Sequence, residues 1–467
     1  MRIAFRCDGD ARVGAGHVAR SIQLAEAFVR AGHEALFVGR YDGLAGGLLR
    51  AAGLDARPPE QGLCGVPAQW AAPVMVDSYS IPSPELERLA LAVPVGAFCD
   101  GLDAPRVTAV LHPHLSPPES LRLPAGTTAL VGPDYAPVSP RFAAARRGRG
   151  LTHALVTVGG SEHARRLVEP ARTALGALGD PEVFVSGLEP GRDVGLLERI
   201  EWADVAISAA GGTAYELACA GVPTVVVVVA DNQAAVGEGL ARAGAARALD
   251  ARSADAGELL HAEVAALASA EERARLAIAG PETVDGHGAA RARDALLAAF
   301  AGDELPRVLR YRPARSADAR QLLAWRNDPE VRGASRSTEA IDATTHERWL
   351  KAALSRRDLA LWIAVENEQP VGSLRFDRRE AATAEISVSI AAERRGQGVG
   401  VQAIREATEL YLAAHPEVRS VLAEIRPENS GSIQAFERGG YRARPSSSGP
   451  LRVLEATASA AVRSSPR

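Results

Sequence analysis

The chain has 467 residues, more than one hydrophobic core usually fills, so two or three domains are expected. With 47% hydrophobic and 24% charged residues and a formal net charge of -4, it gives no electrostatic case for nucleic-acid or membrane partners. Cys7, Cys64, Cys99 and Cys219 form no C-x-x-C pair, which argues against a zinc site or a disulfide framework, and no apolar run approaches the roughly 20 residues of a membrane span.

Strand one is expected at Ile3 to Phe5, with no signal-peptide segment ahead of it, so a cytoplasmic protein is expected. A helix follows from Val18 to Ala31, then strands at Glu34 to Val38, Val74 to Val76 and Val95 to Phe98, the last two followed by Asp77 and Asp100. The βα rhythm restarts beyond the Arg-rich stretch at Arg146 with strands at Ala154 to Val158, Glu182 to Val185, Val205 to Ser208 and Thr224 to Val229. Two Rossmann-like domains are therefore expected, over residues 1–148 and 149–302. After a helical run from Ala289 to Phe300 the pattern changes, and a third α/β domain is expected over 308–456, with a disordered tail at 457–467. Its helices fall at Asp318 to Trp325, Thr345 to Ser355, Val401 to Ala413 and Ser430 to Arg438. Its strands fall at Leu361 to Glu366, Val371 to Phe376, Ala384 to Ile390 and Ser420 to Ile425.

Gly14-Ala15-Gly16-His17 lies between the first strand and its helix. Glycines there let the backbone approach a ligand, and the helix start offers free N–H groups and disfavours a protonated imidazole. The plain alternative is a glycine turn with a capping His. In the second half, Gly211-Gly212-Thr213 opens a helix after Val205 to Ser208, with room for a pyrophosphate. Glu216 sits one turn further on, placed to accept from a ribose diol. The next strand ends in Asp231-Asn232-Gln233, where open α/β sheets bind ligands.

With Arg6-Cys7-Asp8, Arg20, Asp77-Ser78-Tyr79, Gly132-Pro133, Gly159-Gly160-Ser161 and Asp285-Gly286, this ordered series resembles the metal-independent UDP-sugar hydrolases of pseudaminic acid biosynthesis. That resemblance runs from Arg2 to about Arg291 and implies a GT-B-like pair of Rossmann-like domains. It implies that water displaces UDP from a UDP-linked 2,4-diacetamido-2,4,6-trideoxy sugar with inversion and no metal. His17 would be catalytic, and Tyr79 and Asn232 would line the sugar pocket. Gly14, Gly16, Arg20, Gly211, Gly212, Thr213, Glu216 and Gln233 would bind the UDP-sugar. Two departures stand out: Thr213 where relatives often carry serine, and His112-Pro113-His114 in place of an Asn-containing stretch.

Far downstream, Arg395-Gly396-Gln397-Gly398-Val399-Gly400 follows a strand and opens a helix, forming an anion nest of backbone N–H groups. Asn429, Ser432 and Phe436 follow at helical spacing before Gly440-Tyr441, so they share one helical face. The pair of motifs resembles the GNAT N-acetyltransferases over about Leu309 to Glu455. Trp325-Arg326-Asn327-Asp328-Pro329, His346 and Trp349 resemble the branch acting on amino sugars and protein N-termini. The resemblance implies acetyl-CoA as cosubstrate along Ile386 and Val388, with its pyrophosphate on Arg395 to Gly400. Glu385 or Glu424 is a candidate base for the amine, or else an ion-pair partner of a nearby Arg. Many relatives carry Tyr where Phe436 stands, and Phe cannot protonate a leaving thiolate.

The expectation is a bifunctional enzyme that acetylates a UDP-linked 4-amino sugar and then releases UDP from the product. The alternative is a GT-B glycosyltransferase with an acetylating or merely acetyl-CoA-binding appendage.

Overall fold

The computed structural model describes residues 1–9, 15–67, 69–101, 103–115, 122–144, 150–157, 166–186, 195–252, 256–335, 337–444 and 451–457. The chain divides into two compact units, one formed by Met1–Pro306 and one that begins at Arg307.

The first unit holds two parallel sheets. In one, β1 (Arg2–Cys7), β2 (Glu34–Val38), β3 (Asp55–Arg57), β4 (Val74–Asp77), β5 (Val95–Phe98), β6 (Ala109–His112) and β7 (Thr128–Val131) lie in the order β3-β2-β1-β4-β5-β6-β7. Ile3, Ala4 and Phe5 are all buried, as a central parallel strand covered on both faces requires. The chain moves outward from β1 to β3 and returns to β4 on β1's other side. The carboxyl ends of β1 and β4 therefore border the crevice of a topological switch point.

In the other sheet, β8 (His153–Thr157), β9 (Glu182–Val185), β10 (Val205–Ala209), β11 (Thr224–Val228) and β12 (Arg247–Asp250) follow the order β12-β11-β10-β8-β9, again all parallel. The valine run of β11 is buried throughout. Here the switch lies between β8 and β10. The helix Gly288–Ala301 follows the second sheet in sequence, yet Ala292, Ala295 and Leu296 join the core of the first, beside Val18, Ile22 and Leu111. Gly288 makes this approach possible, because a Cβ there would lie 2.0 Å from the Ala136 carbonyl oxygen.

The second unit is a mixed sheet of β13 (Arg310–Pro313), β14 (Leu359–Glu366), β15 (Gln369–Glu380), β16 (Thr383–Ile390), β17 (Ser420–Ile425), β18 (Arg442–Ala443) and β19 (Arg452–Thr457), ordered β13-β14-β15-β16-β17-β19-β18. Only β16 and β17 pair in parallel, and only over Thr383 to Glu385 against Ser420 to Leu422. Since β16 continues to Ile390 and β17 to Ile425, the two strands part and leave a wedge between them. Helices Val399–Ala414 and Ser430–Arg438 cover one face, packing Ile404, Tyr411, Ile433 and Phe436 on Leu374, Phe376 and Ile386. Helices Ala319–Asn327 and Ala343–Ser355 place Leu322, Trp325 and Leu350 against Leu361 and Ile363 on the other.

The expected restart of the βα series is therefore present as a second parallel sheet, and the third region carries a sheet of different design. No helix among the described residues is long and apolar enough to cross a membrane.

Candidate functional site

In the first unit, the site grows from the β1–β4 switch. Helix Gly16–Arg30 starts here, so His17 and Arg20, three residues apart, face the same neighbour across its first turn. That neighbour is Asp77, the last residue of β4, which is almost fully buried. His17 Nδ1 is hydrogen-bonded to Asp77 Oδ1. Arg20 Nε and Nη2 each donate to the same carboxylate at 2.6 Å. Arg20 then reaches Asp100 beyond β5, Nη1 to Oδ1 at 3.0 Å and Nη2 to Oδ2 at 2.9 Å.

One guanidinium thus bridges two carboxylates. Burial pushes both acids up, but the charge and hydrogen bonds of Arg20 outweigh it, holding Asp77 below and Asp100 well below the ordinary carboxylate range. Burial would lower the Arg20 pKa, yet the two acids raise it well above its usual value. Because ionised Asp77 can only accept, His17 Nδ1 is the donor, the tautomer whose Nε2 can act as an acceptor.

Tyr79 stands edge-on to His17, their ring centroids 4.6 Å apart. Its hydroxyl donates to Asp100 Oδ2 at 2.5 Å and is hydrogen-bonded to the side chain of Asn232, which follows β11 of the second sheet. Burial and the Asp100 charge push the Tyr79 phenol up to about 12. The first unit's two sheets therefore meet at Tyr79 and Asn232.

The departure at His112-Pro113-His114 also enters this network. His114 Nε2 bonds Asp100 Oδ1 at 3.0 Å, while His112 Nδ1 donates to the Cys99 carbonyl at 2.5 Å. Asp77, Asp100 and His114 were not expected as site residues. The available signal was an acid at or just beyond the carboxyl end of two strands, β4 and β5, which prove to be neighbours.

Gly211 caps the Gly212–Ala220 helix, and a Cβ at either glycine would meet nothing within 4 Å, so the helix start is open. Thr213 is hydrogen-bonded to Glu216, whose carboxyl burial pushes up to about 7. Gln233 Oε1 accepts from Val229 N at 3.0 Å, so this side chain shapes the loop. Gly16 likewise has open space at its Cβ position. Gly14 and Gly159-Gly160-Ser161 lie outside the described residues.

In the second unit, Gly396 and Gly398 adopt φ of 74° and 80°, the left-handed region that side chains resist. Gly398 is the N-cap of helix Val399–Ala414, and a Cβ at Gly396 or Gly398 would meet nothing within 4 Å. Gly400 packs closer, its Cβ position 3.5 Å from Ile390. An open helix start beside a strand wedge fits a long, thin ligand with a diphosphate. Val399 and Ile386 are core residues, and Val388 packs partly buried against the same core.

Asn429 uses its side chain as a helix cap, accepting from Ser432 N at 3.0 Å. Phe436 is buried edge-on to Tyr441 at 4.9 Å, and the Tyr441 hydroxyl bonds Thr408 at 2.8 Å. Asn429 thus caps this helix, and Phe436 packs in the core beneath it.

Glu385 and Glu424 lie on the sheet face opposite helix Val399–Ala414, because Glu385 pairs in register with Leu422, two residues before Glu424. Glu385 is buried and takes Arg379 Nε at 2.8 Å. Glu424 is exposed, on β17 past its last pairing with β16.

Residues 308–442 match the acetyltransferase (GNAT) domain family. This segment is a GNAT acetyltransferase domain. No curated protein matches the chain. Among solved structures, aminoglycoside acetyltransferase AAC(6')-Ib in complex with coenzyme A is 19% identical, covering 32% of this chain and 94% of its own, at a TM-score of 0.29. Spermidine N-acetyltransferase from Vibrio cholerae, in complex with CoA and spermine, is 14% identical over 33% of this chain and 98% of its own, at 0.30. The GNAT domain of S. lividans PAT is 20% identical over 32% of this chain and 90% of its own, at 0.28.

Proposed function

We propose that the chain is a bifunctional nucleotide-sugar enzyme. The first unit, with its two sheets paired in a GT-B-like manner, hydrolyses a UDP-linked 2,4-diacetamido-2,4,6-trideoxy-hexose. The second acetylates the 4-amino group of its UDP-linked precursor, and both act in the cytoplasm. The observation that carries the hydrolytic half is His17, oriented by the buried Asp77–Arg20 pair at a switch point and flanked by Tyr79 and Asn232.

In this reading water attacks the anomeric carbon and gives its proton to His17 Nε2. The bond from that carbon to the phosphate oxygen breaks, UDP leaves with the electron pair, and configuration inverts. Gly211, Gly212 and Thr213 seat the diphosphate at the helix start, and Glu216 accepts from the ribose. Tyr79 and Asn232 line the sugar, and Gly14, Gly16, Arg20 and Gln233 complete the pocket.

In the acetyltransferase unit, the amine attacks the thioester carbonyl and the thiolate leaves with its electron pair. Glu424 or Glu385 takes the amine proton, directly or through water. Of the two, Glu424 is the more exposed, on the stretch of β17 that has parted from β16, and Glu385 is buried.

Mass spectrometry of the products from a UDP-linked 4-amino sugar and acetyl-CoA, with no acceptor added, tests both halves. CoA, the diacetamido sugar and free UDP are expected. UDP release that strictly requires an acceptor would replace hydrolysis with glycosyl transfer. A lack of steady-state CoA release would reduce the second unit to an acetyl-CoA-binding appendage.

A further inference from the structure

Arg395 opens the phosphate loop of the acetyltransferase unit, and a guanidinium there is expected to grip a diphosphate. The structure has it engaged elsewhere. Its Nε donates to the Ile390 carbonyl at 3.1 Å, Nη1 donates to Glu330 Oε2 at 2.7 Å, and Nη2 stands 3.0 Å from Asp328 Oδ1. All three guanidinium nitrogens therefore face oxygens of the chain itself.

The two carboxylates lie at the start of helix Pro329–Ala334, just after helix Ala319–Asn327, whose Leu322 and Trp325 pack on the sheet face away from helix Val399–Ala414. Asp328 caps helix Pro329–Ala334, its Oδ1 accepting from Glu330 N at 3.0 Å and Val331 N at 3.2 Å. Next to it, Asn327 clasps Ile341, donating to its carbonyl at 2.8 Å and accepting from its N–H at 2.9 Å. The stretch from Asn327 to Glu330 is thus a clip that holds Ile341 and, through Arg395, the phosphate loop. On the loop's other flank, Arg307 donates to the Gln397 carbonyl at 3.2 Å, and Gln397 Nε2 donates to the Glu393 carbonyl at 2.7 Å.

We infer that Arg395 is a positioning residue: gripped by Asp328 and Glu330, it holds the loop in its diphosphate-ready shape, and backbone N–H groups rather than its guanidinium receive the phosphates. A nest tied in place beforehand spares the ligand the cost of ordering it. This rests on the acetyltransferase reading of residues 308–442.

The two roles for Arg395 predict opposite signs in one experiment, acetyl-CoA binding to the full chain by calorimetry. In the double variant D328N/E330Q, Asn keeps the helix cap while both charges facing Arg395 are removed. A guanidinium that bound phosphate directly would be freed, and two negative charges would leave the neighbourhood of an anion, so Kd would fall. A positioning guanidinium loses its anchors, so Kd is expected to rise by about fivefold, from two partly exposed ion pairs. At saturating acetyl-CoA, kcat should stay within about twofold of wild type. Adding R395A to the double variant should weaken binding no further.

Unchanged or tighter binding in D328N/E330Q, or a large further loss on adding R395A, overturns the inference alone. Failure of the wild-type protein to bind acetyl-CoA removes the reading beneath it, and the inference with it.

Discussion

Replacing Asp77 by Asn separates the geometry of the His17 site from its charge. The side chain keeps its shape, but one oxygen becomes an NH2 group. Both oxygens currently accept from Arg20 at 2.6 Å, and Oδ1 also bonds His17. The arrangement that loses least keeps the carbonyl oxygen toward His17 and Arg20 Nη2 and turns the NH2 toward Arg20 Nε, so Arg20 Nε and, at 3.4 Å, Ser21 Oγ lose the oxygen they donate to. That costs about 1–3 kcal/mol of stability, moderated because Asp100 still holds the guanidinium.

The rate penalty is electrostatic. A carboxylate within about 4 Å of a developing imidazolium contributes about 4 kcal/mol at an effective dielectric near 20. Discounting for the Arg20 charge that partly neutralises it, about 2–3 kcal/mol remains, or about 30- to 150-fold in kcat. The assay is UDP release from the diacetamido UDP-sugar, with a thermal melt to confirm folding. A folded Asp77→Asn protein that releases UDP within threefold of the wild-type rate would refute the claim that this carboxylate drives His17.

Two further outcomes follow from the glycine-bounded helix starts. Burial lifts the Glu216 carboxyl from 4.5 to about 7, so the folded chain keeps this proton to higher pH than the unfolded chain does. The associated stability is complete below about 4.5 and is lost as pH rises through about 7, so Glu216→Gln should stabilise the first unit by up to about 3 kcal/mol at pH 8 and by little at pH 4, as paired melts at the two pH values would record. At Gly398, Ala should cost about 1 kcal/mol because φ is 80°, while Trp should abolish acetyl-CoA binding by filling the open helix start; calorimetry showing retained affinity in Gly398→Trp would displace the ligand from this loop.

Apolar periodicity located most strands of the two parallel sheets. β2, β5, β9 and β17 run over the residues their valine, leucine and phenylalanine runs indicate. It passed over β3 and β12, which are edge strands. Asp55–Arg57 is exposed throughout, and β12 (Arg247–Asp250) buries only Leu249, so neither carries an alternation to detect. β6 and β7 were passed over as well, although β5 and β9, of the same four-residue length, were located.

The same contrast holds for the site. Glycine turns marked where helices begin, since that signal is local. The meeting of His17, Asp77 and Asp100 on Arg20 depends on β1, β4 and β5 lying side by side, a non-local fact no spacing encodes. Phe436 illustrates a second limit: helical spacing establishes a shared face, but a core and a ligand draw on the same apolar residues.

The strongest consequence of this organisation is that the two proposed activities should be separable by one substitution. Every partner named for His17, namely Asp77, Arg20 and Tyr79, with Asp100, His114 and Asn232 behind them, lies within Met1–Pro306. Every partner named for the phosphate loop, from Arg307 to Gln397, lies within the unit that begins at Arg307. His17→Ala removes the ring nitrogen that would accept the proton of the attacking water. It leaves Asp77 with Arg20, so no buried carboxylate is stranded and the fold should survive. UDP release should then fall to background while acetyl transfer to the 4-amino sugar proceeds at the wild-type rate, and the diacetamido UDP-sugar should accumulate as product. If a folded His17→Ala protein lost both activities together, acetyl transfer would depend on the first unit, and the assignment of one complete reaction to each unit would be wrong.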